Sequence, residues 1–152
     1  MCLYSNKIKA KKAKEDIKAY KIYINLKNNK YLPPFYSMFT KPLLLKNNDI
    51  IKGQFKTFKK LWKWILKREG NVYSIYTNKY CIEDGFIHTY TNKYTCTHEI
   101  ENYMIMNQLI GAPSLPSLVM FEVSIPKGTY YYESFSGETL CSRKIKIIKQ
   151  LN

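Results

Sequence analysis

Asp16-Ile-Lys-Ala-Tyr-Lys-Ile-Tyr-Ile-Asn-Leu26 alternates in a two-residue rhythm. Ile17, Ala19, Lys21 and Tyr23 point one way. Lys18, Tyr20, Ile22, Ile24 and Leu26 point the other and carry most of the apolar mass. A period of two in β-branched and aromatic residues predicts a half-buried strand. Residues 117–125 hold a second run, Leu118-Val-Met-Phe-Glu-Val-Ser-Ile125, apolar almost throughout and broken by Pro126-Lys127-Gly128. Residues 130–135 and 144–148 predict the last strands, with Ser136-Gly137 between them.

Between these runs the rhythm changes. Over residues 53–69, Phe55, Phe58, Leu61, Trp62, Ile65 and Leu66 recur at three- and four-residue steps, which predicts a helix with one apolar stripe. Lys56, Lys60, Lys63 and Lys67 fall on the other side, with Trp64 among them, and Gly70-Asn71 supplies the stop. A second helix is expected over residues 97–110, capped by Thr97 and ended by Gly111 and Pro113. Asn28-Asn29 predicts a turn, and Pro33, Pro34 and Pro42 predict an irregular loop through residues 31–50. Residues 72–96 read as short strands between turns; Tyr-Thr-Asn-Lys-Tyr recurs there at 76–80 and 90–94, too brief to define a repeat. Strand, helix, strands, helix, strands is the order of an α+β domain: a mixed or antiparallel sheet with two main helices. Residues 1–15 are expected to form a basic arm, and residues 16–152 one domain.

The formal charge is +14, from 25 basic and 11 acidic residues in 152. AT-rich codons favour Lys, Asn, Ile and Tyr together, but they favour glutamate nearly as well, and acids lag far behind. An acidic partner that offsets self-repulsion is therefore the expectation. Four scattered cysteines, Cys2, Cys81, Cys96 and Cys141, with no signal-peptide pattern and no long apolar run, suggest free thiols in a cytoplasmic protein without a membrane partner.

Catalytic patterns are thin. Cys81, His88, Cys96 and His98 match no zinc spacing, so no metal is expected. No glycine-rich phosphate loop occurs, and no cofactor is implied. Glu83-Asp84 lies in a turn, while Glu99 and Glu101 leave different helix faces. Cys2 would be a nucleophile only if Met1 were removed.

Basic tracts are the stronger signal: residues 7–21, residues 52–68, and Arg143-Lys144-Ile-Lys146. Trp64 among lysines suits stacking of a base while ammonium groups take phosphates, although packing on a neighbouring element explains it slightly better. The run Pro126-Lys127-Gly128-Thr129-Tyr130-Tyr131-Tyr132 offers a lysine, a hydroxyl, tyrosines and backbone N–H groups to a phosphate.

Met1-Cys2-Leu3, Ala13-Lys-Glu-Asp-Ile-Lys-Ala-Tyr-Lys21, Gly85-Phe86-Ile87-His88, Ile125-Pro-Lys-Gly128 followed by tyrosines, and Cys141-Ser142 together resemble a group of short proteins common in bacteriophages and gut bacteria. Those proteins read Gly-Phe-His where this chain inserts Ile87. The resemblance implies a phage accessory protein that counters host defence, for instance by soaking up a nucleotide signal such as a cyclic nucleotide or an ADP-ribose derivative. The order of elements also looks like the ADP-ribosyltransferase fold, which would put His88 and Thr89 near a nucleotide pocket and make Glu138 the candidate for the catalytic glutamate. The leading expectation is a homo-oligomeric, non-enzymatic nucleotide binder. Lys127, Tyr130, Arg143 and Lys144 would hold phosphates, and His88, Thr89 or Trp64 would contact base or ribose. Nucleic-acid binding through the lysine tracts and a nucleotide-processing or ADP-ribosyl-transferring enzyme are the alternatives.

Overall fold

A computed structural model describes residues 3–5, 10–33, 41–53, 73–74, 79–82, 87–109, 117–134 and 136–151. The central pair is β3 (Ile17–Leu26) and β10 (Ser117–Ile125), antiparallel and in register from Ile17↔Ile125 to Asn25↔Ser117. On one side β10 carries β13 (Lys144–Gln150), which carries β6 (Ile50–Lys52). On the other, β3 meets β9 (Ile87–Tyr90) through Tyr20↔Tyr90, and beyond it lie β12 (Thr139–Ser142), β11 (Tyr130–Glu133) and β2 (Lys11–Lys12). Strands β4 (Lys30–Leu32) and β5 (Leu43–Leu44) extend from the far end of β3. A small second sheet joins β1 (Leu3–Ser5), β8 (Lys79–Ile82) and β7 (Tyr73–Ser74). Every described pairing is antiparallel.

This sheet cannot be flat. Strands β12 and β13 stand four ladders apart, about 19 Å at the usual strand spacing. Yet only Arg143 separates Ser142 from Lys144, and two residues span at most about 7 Å. The chain therefore bends at Arg143, and the sheet rolls round the core to meet itself, as when a strand passes from one packed layer to the next. The Ser142 hydroxyl, fully buried, donates to the Lys144 carbonyl across the bend at 3.1 Å, and the Gly53 N–H donates to the Arg143 carbonyl at 2.7 Å.

The rolled sheet encloses Ala19, Tyr23, Tyr31, Ile87, Val119, Phe121, Val123, Ile125, Leu140, Ile145 and Ile147. Tyr23, Tyr31 and Phe121 meet edge-on, and the Tyr31 hydroxyl donates to the Gln150 side-chain oxygen at 3.2 Å. The face of β3 expected to be the poorer in apolar mass thus lines the larger core. The opposite face, with Tyr20, Ile22, Leu118, Met120 and Tyr90, packs beneath the helix α1 (Lys93–Leu109) through Cys96 and Ile100. Both faces of β3 are covered over this stretch.

The α+β class stands, but the expectation of two main helices is not borne out among the described residues, which contain one α-helix. The helix expected over residues 53–69 falls outside them beyond Gly53. The observed helix also starts earlier than expected. Asn92 caps it, accepting the Thr95 N–H at 2.8 Å, while the Thr97 hydroxyl turns back to the Lys93 carbonyl at 2.9 Å, a bond an interior helical threonine makes. Strands β4, β5 and the start of β6 occupy the stretch expected to be a loop, with Pro33 and Pro42 just outside the strands where a missing N–H costs no ladder bond. Asn28 and Asn29 both take positive φ, 64° and 54°, between β3 and β4, a conformation asparagine tolerates. Strand β12 was not anticipated, and the arm of residues 1–15 contributes two strands.

In β13 the alternation Lys144-Ile145-Lys146-Ile147 breaks at Ile148. Register against β10 shifts there, from Val123↔Ile147 to Glu122↔Lys149, so one extra residue bulges and Lys149 returns to the polar side. Ile145 and Ile147 are wholly buried. Ile145→Ala should lower unfolding free energy by roughly 2–5 kcal/mol, whereas Lys146→Ala should change it by no more than about 0.5 kcal/mol. Urea denaturation of the two variants tests the facing; equal losses would refute it.

Candidate anion-binding site

Two ladders converge on the Arg143 bend. In one, Ser124↔Lys146 brings the next residues, Pro126 and Lys144, together at the strand ends. In the other, Tyr131↔Ser142 does the same for Tyr130 and Arg143, with Lys12 opposite Tyr130. Lys127 and Tyr130 are therefore brought together with Arg143 and Lys144 at one corner. Tyr130 is exposed, and the Lys12 ammonium lies 5.8 Å from its ring centroid.

The turn before β11 is closed from within. Gly128 takes φ 81°, and the Thr129 N–H donates to the Pro126 carbonyl at 3.0 Å, the arrangement of a type II turn with glycine in third place. The Gly128 N–H donates to the Ala13 carbonyl at 2.8 Å, and the Lys127 N–H to the Asp16 carboxylate at 2.7 Å. All three N–H groups are spent, so the expectation that this turn offers backbone donors to a phosphate is corrected. The Lys127 side chain, exposed at the turn, remains for that role.

The outer face of β13 carries a feature the sequence does not show. Lys144 lies directly opposite Lys52, and Lys146 opposite Ile50 on one side and Ser124 on the other; Ser124 in turn faces Lys18. Cross-strand partners share a face, so Lys18, Ser124, Lys144, Lys146, Ile50 and Lys52 form one surface. Like charges placed directly opposite destabilise a sheet. Among the described residues the ion pairs are Lys11–Glu133 and Lys18–Glu122, the latter at 3.2 Å, and none reaches Lys52, Lys144 or Lys146. Each carboxylate holds its lysine ammonium protonated to higher pH than usual through that hydrogen bond. The Ser124 hydroxyl oxygen is sheltered from solvent and makes no hydrogen bond among the described residues, as is true of Thr129 in the turn.

The remaining candidates lie elsewhere. Thr89 is fully buried, with its hydroxyl 3.5 Å from the Leu140 carbonyl, so it presents nothing to a ligand at the surface. His88 shares a cross-strand row with Cys141 and Tyr132, and both its ring nitrogens are sheltered from solvent. Trp64, Cys2 and Glu83-Asp84 lie outside the described residues. Glu138 sits at the end of β12 away from Arg143, roughly 16 Å along the strand, its carbonyl accepting from the Thr91 N–H and hydroxyl. In the sequence Lys12 and Lys52 stand out only as members of lysine tracts, and Ser124 carries no signal.

Burial pushes the Cys96 thiol up to about 12, drives Cys141 higher, and raises the Tyr132 hydroxyl to about 12. A thiol so held stays protonated at neutral pH and is a poor nucleophile. No protein family, curated protein or solved structure matches this chain.

Peptide mapping after iodoacetamide treatment at pH 8 should find Cys96 and Cys141 unmodified in folded protein and fully modified in denaturant. Rapid labelling of either in the folded state would contradict the burial described.

Proposed function

We propose that this chain binds a phosphate-bearing ligand of nucleotide type at the Arg143 corner, without chemistry, and acts as a phage counter-defence protein that sequesters a nucleotide signal. The observation that carries the binding reading is the Lys144–Lys52 pair: two lysines set directly opposite each other in the ladder, with Lys146 on the next row and no carboxylate on any of the three among the described residues. An anion between them converts a repulsion into two charge-assisted hydrogen bonds. Lys12, Lys127 and Arg143 add charge at the same corner, and exposed Tyr130 and Ile50 offer apolar surface to a base or ribose. The counter-defence context rests on the sequence resemblance alone. The enzymatic alternative gains little support: Glu138 is distant from the cations, and the two described thiols with assigned environments are buried.

Lys144→Ala separates this reading from a fortuitous charge. Removing one member of the pair should raise the stability of the ligand-free protein by about 0.2–1 kcal/mol while weakening AMP binding tenfold or more. Calorimetric titration and thermal unfolding read the two effects. An unchanged AMP affinity sinks the proposal, and recovery of a converted nucleotide makes the protein an enzyme. Single-stranded DNA bound more tightly than any mononucleotide, with an affinity that collapses as salt rises, favours the nucleic-acid alternative.

Self-association belongs to the same reading and has support in α1. Met104, Ile105 and Met106 are exposed on consecutive positions of the helix. Residues 97–109 carry Glu99 and Glu101 and no lysine or arginine, so this is a surface where two copies of a +14 chain meet without added repulsion. Light scattering after size exclusion should give twice the chain mass, reduced to one by Ile105→Glu with unchanged circular dichroism; a monomer at 100 µM, roughly a hundred-thousandfold above a nanomolar dissociation constant, would exclude a stable dimer.

A further inference from the structure

The lysine pair at Lys144 and Lys52 is one row of the outer face. The next row, two residues along β13, holds Lys18, Ser124, Lys146 and Ile50 side by side across four strands. Ser124 is the centre of that row. Its residue is 8% exposed, and its hydroxyl oxygen, out of contact with solvent, has no hydrogen-bond partner among the described residues. A buried hydroxyl left unbonded is destabilising, a cost that bonding to a ligand would remove. Its neighbours on the same face are Lys146, which holds no carboxylate among the described residues, and Lys18, which is occupied by Glu122. The acid one row further is thus already neutralised, and the charge that faces Ser124 is positive.

We infer that Ser124 and Lys146 form a second phosphate subsite, adjacent to the Lys144–Lys52 subsite, so that the ligand is a phosphodiester-linked dinucleotide or short oligonucleotide. This rests on the binding reading given above and sharpens it. The two rows are about 6.6 Å apart along the strand. That separation suits successive phosphates joined through a sugar, which stand much further apart than the directly linked phosphates of a nucleoside diphosphate. Ser124 donates its hydroxyl proton to a phosphoryl oxygen, and the Lys146 ammonium donates to the same group. Exposed Ile50, opposite Lys146, lies where the connecting ribose would pass.

Three probes distinguish the possibilities: AMP, ADP and the 5′-phosphorylated dinucleotide pApA, titrated calorimetrically into the full chain and into Ser124→Ala, Lys146→Ala and Lys144→Ala. The expected pattern is pApA bound at least tenfold more tightly than AMP, with ADP gaining far less. Ser124→Ala should weaken pApA more than AMP, and Lys146→Ala should widen that difference further. Lys144→Ala should weaken all three. Ser124→Ala is expected to fold with equal or greater stability, because it deletes an unbonded hydroxyl, and thermal unfolding checks this. If pApA affinity survives Ser124→Ala and Lys146→Ala, the second subsite is wrong while the first still stands. If ADP equals pApA, the spacing argument fails. If none of the three binds, both readings fall together.

Discussion

The bend at Arg143 is the constraint from which the rest follows. A chain that leaves β12 and enters β13 across a single residue cannot serve two strands four ladders apart unless the sheet rolls up between them. Rolling gives Ile145 and Ile147 the same enclosure as Ile87 and Leu140, which the sequence separates by more than fifty residues from β9 to β12. The buried Ser142 hydroxyl, bonded to the Lys144 carbonyl, satisfies a polar group where the strand changes direction and fixes Lys144 at the start of the next ladder. Core closure and the position of the cations are thus consequences of one local geometry.

The same geometry divides the outer face. At one end Ile22, Met120 and Tyr90 are roofed by the first turns of α1; at the other, Lys18, Lys144, Lys146 and Lys52 are turned outward by the alternation that turns Val123, Ile145 and Ile147 inward. Lys144 and Lys146 are therefore not free to move to another face, because any shift of one residue would carry Ile145 to solvent and a lysine into the core. The bulge at Ile148 shows this constraint operating: an extra apolar residue is accommodated by a break in register, and Lys149 keeps its outward position.

What was legible in the sequence was whatever depends on near neighbours. The period-two run of β3, the apolar run of β10 and the strand at β13 were plain, and so was the existence of a helix after residue 92, because each is encoded within a few residues. Strand β12 was missed because Thr139, Leu140, Cys141 and Ser142 carry only one strongly apolar side chain; its burial comes from β9 and β11 on either side. Strands β4 and β5 were hidden by prolines that mark their boundaries. The helix start was misplaced because Asn92 and Thr97 are both good caps, and only the fold decides which one ends the preceding strand. At the site, Arg143-Lys144-Ile-Lys146 stood out as charge, but the opposition of Lys144 to Lys52 is a matter of register between strands some ninety residues apart.

A positive net charge is by itself a weak argument, since a solvated lysine face costs little and binds nothing. Pairing register turns it into a sharper one. An exposed lysine on a loop relaxes away from its neighbours, whereas Lys144 and Lys52 are held opposite by the ladder that keeps Ile145 against Ile51. The hydrophobic core thereby maintains an electrostatic conflict that the sheet alone would avoid. On the reading proposed above, such a conflict, next to a buried hydroxyl with no bond among the described residues, would serve as a preformed anion site: folding would meet the cost of bringing the donors together, and a ligand's charge would remove it.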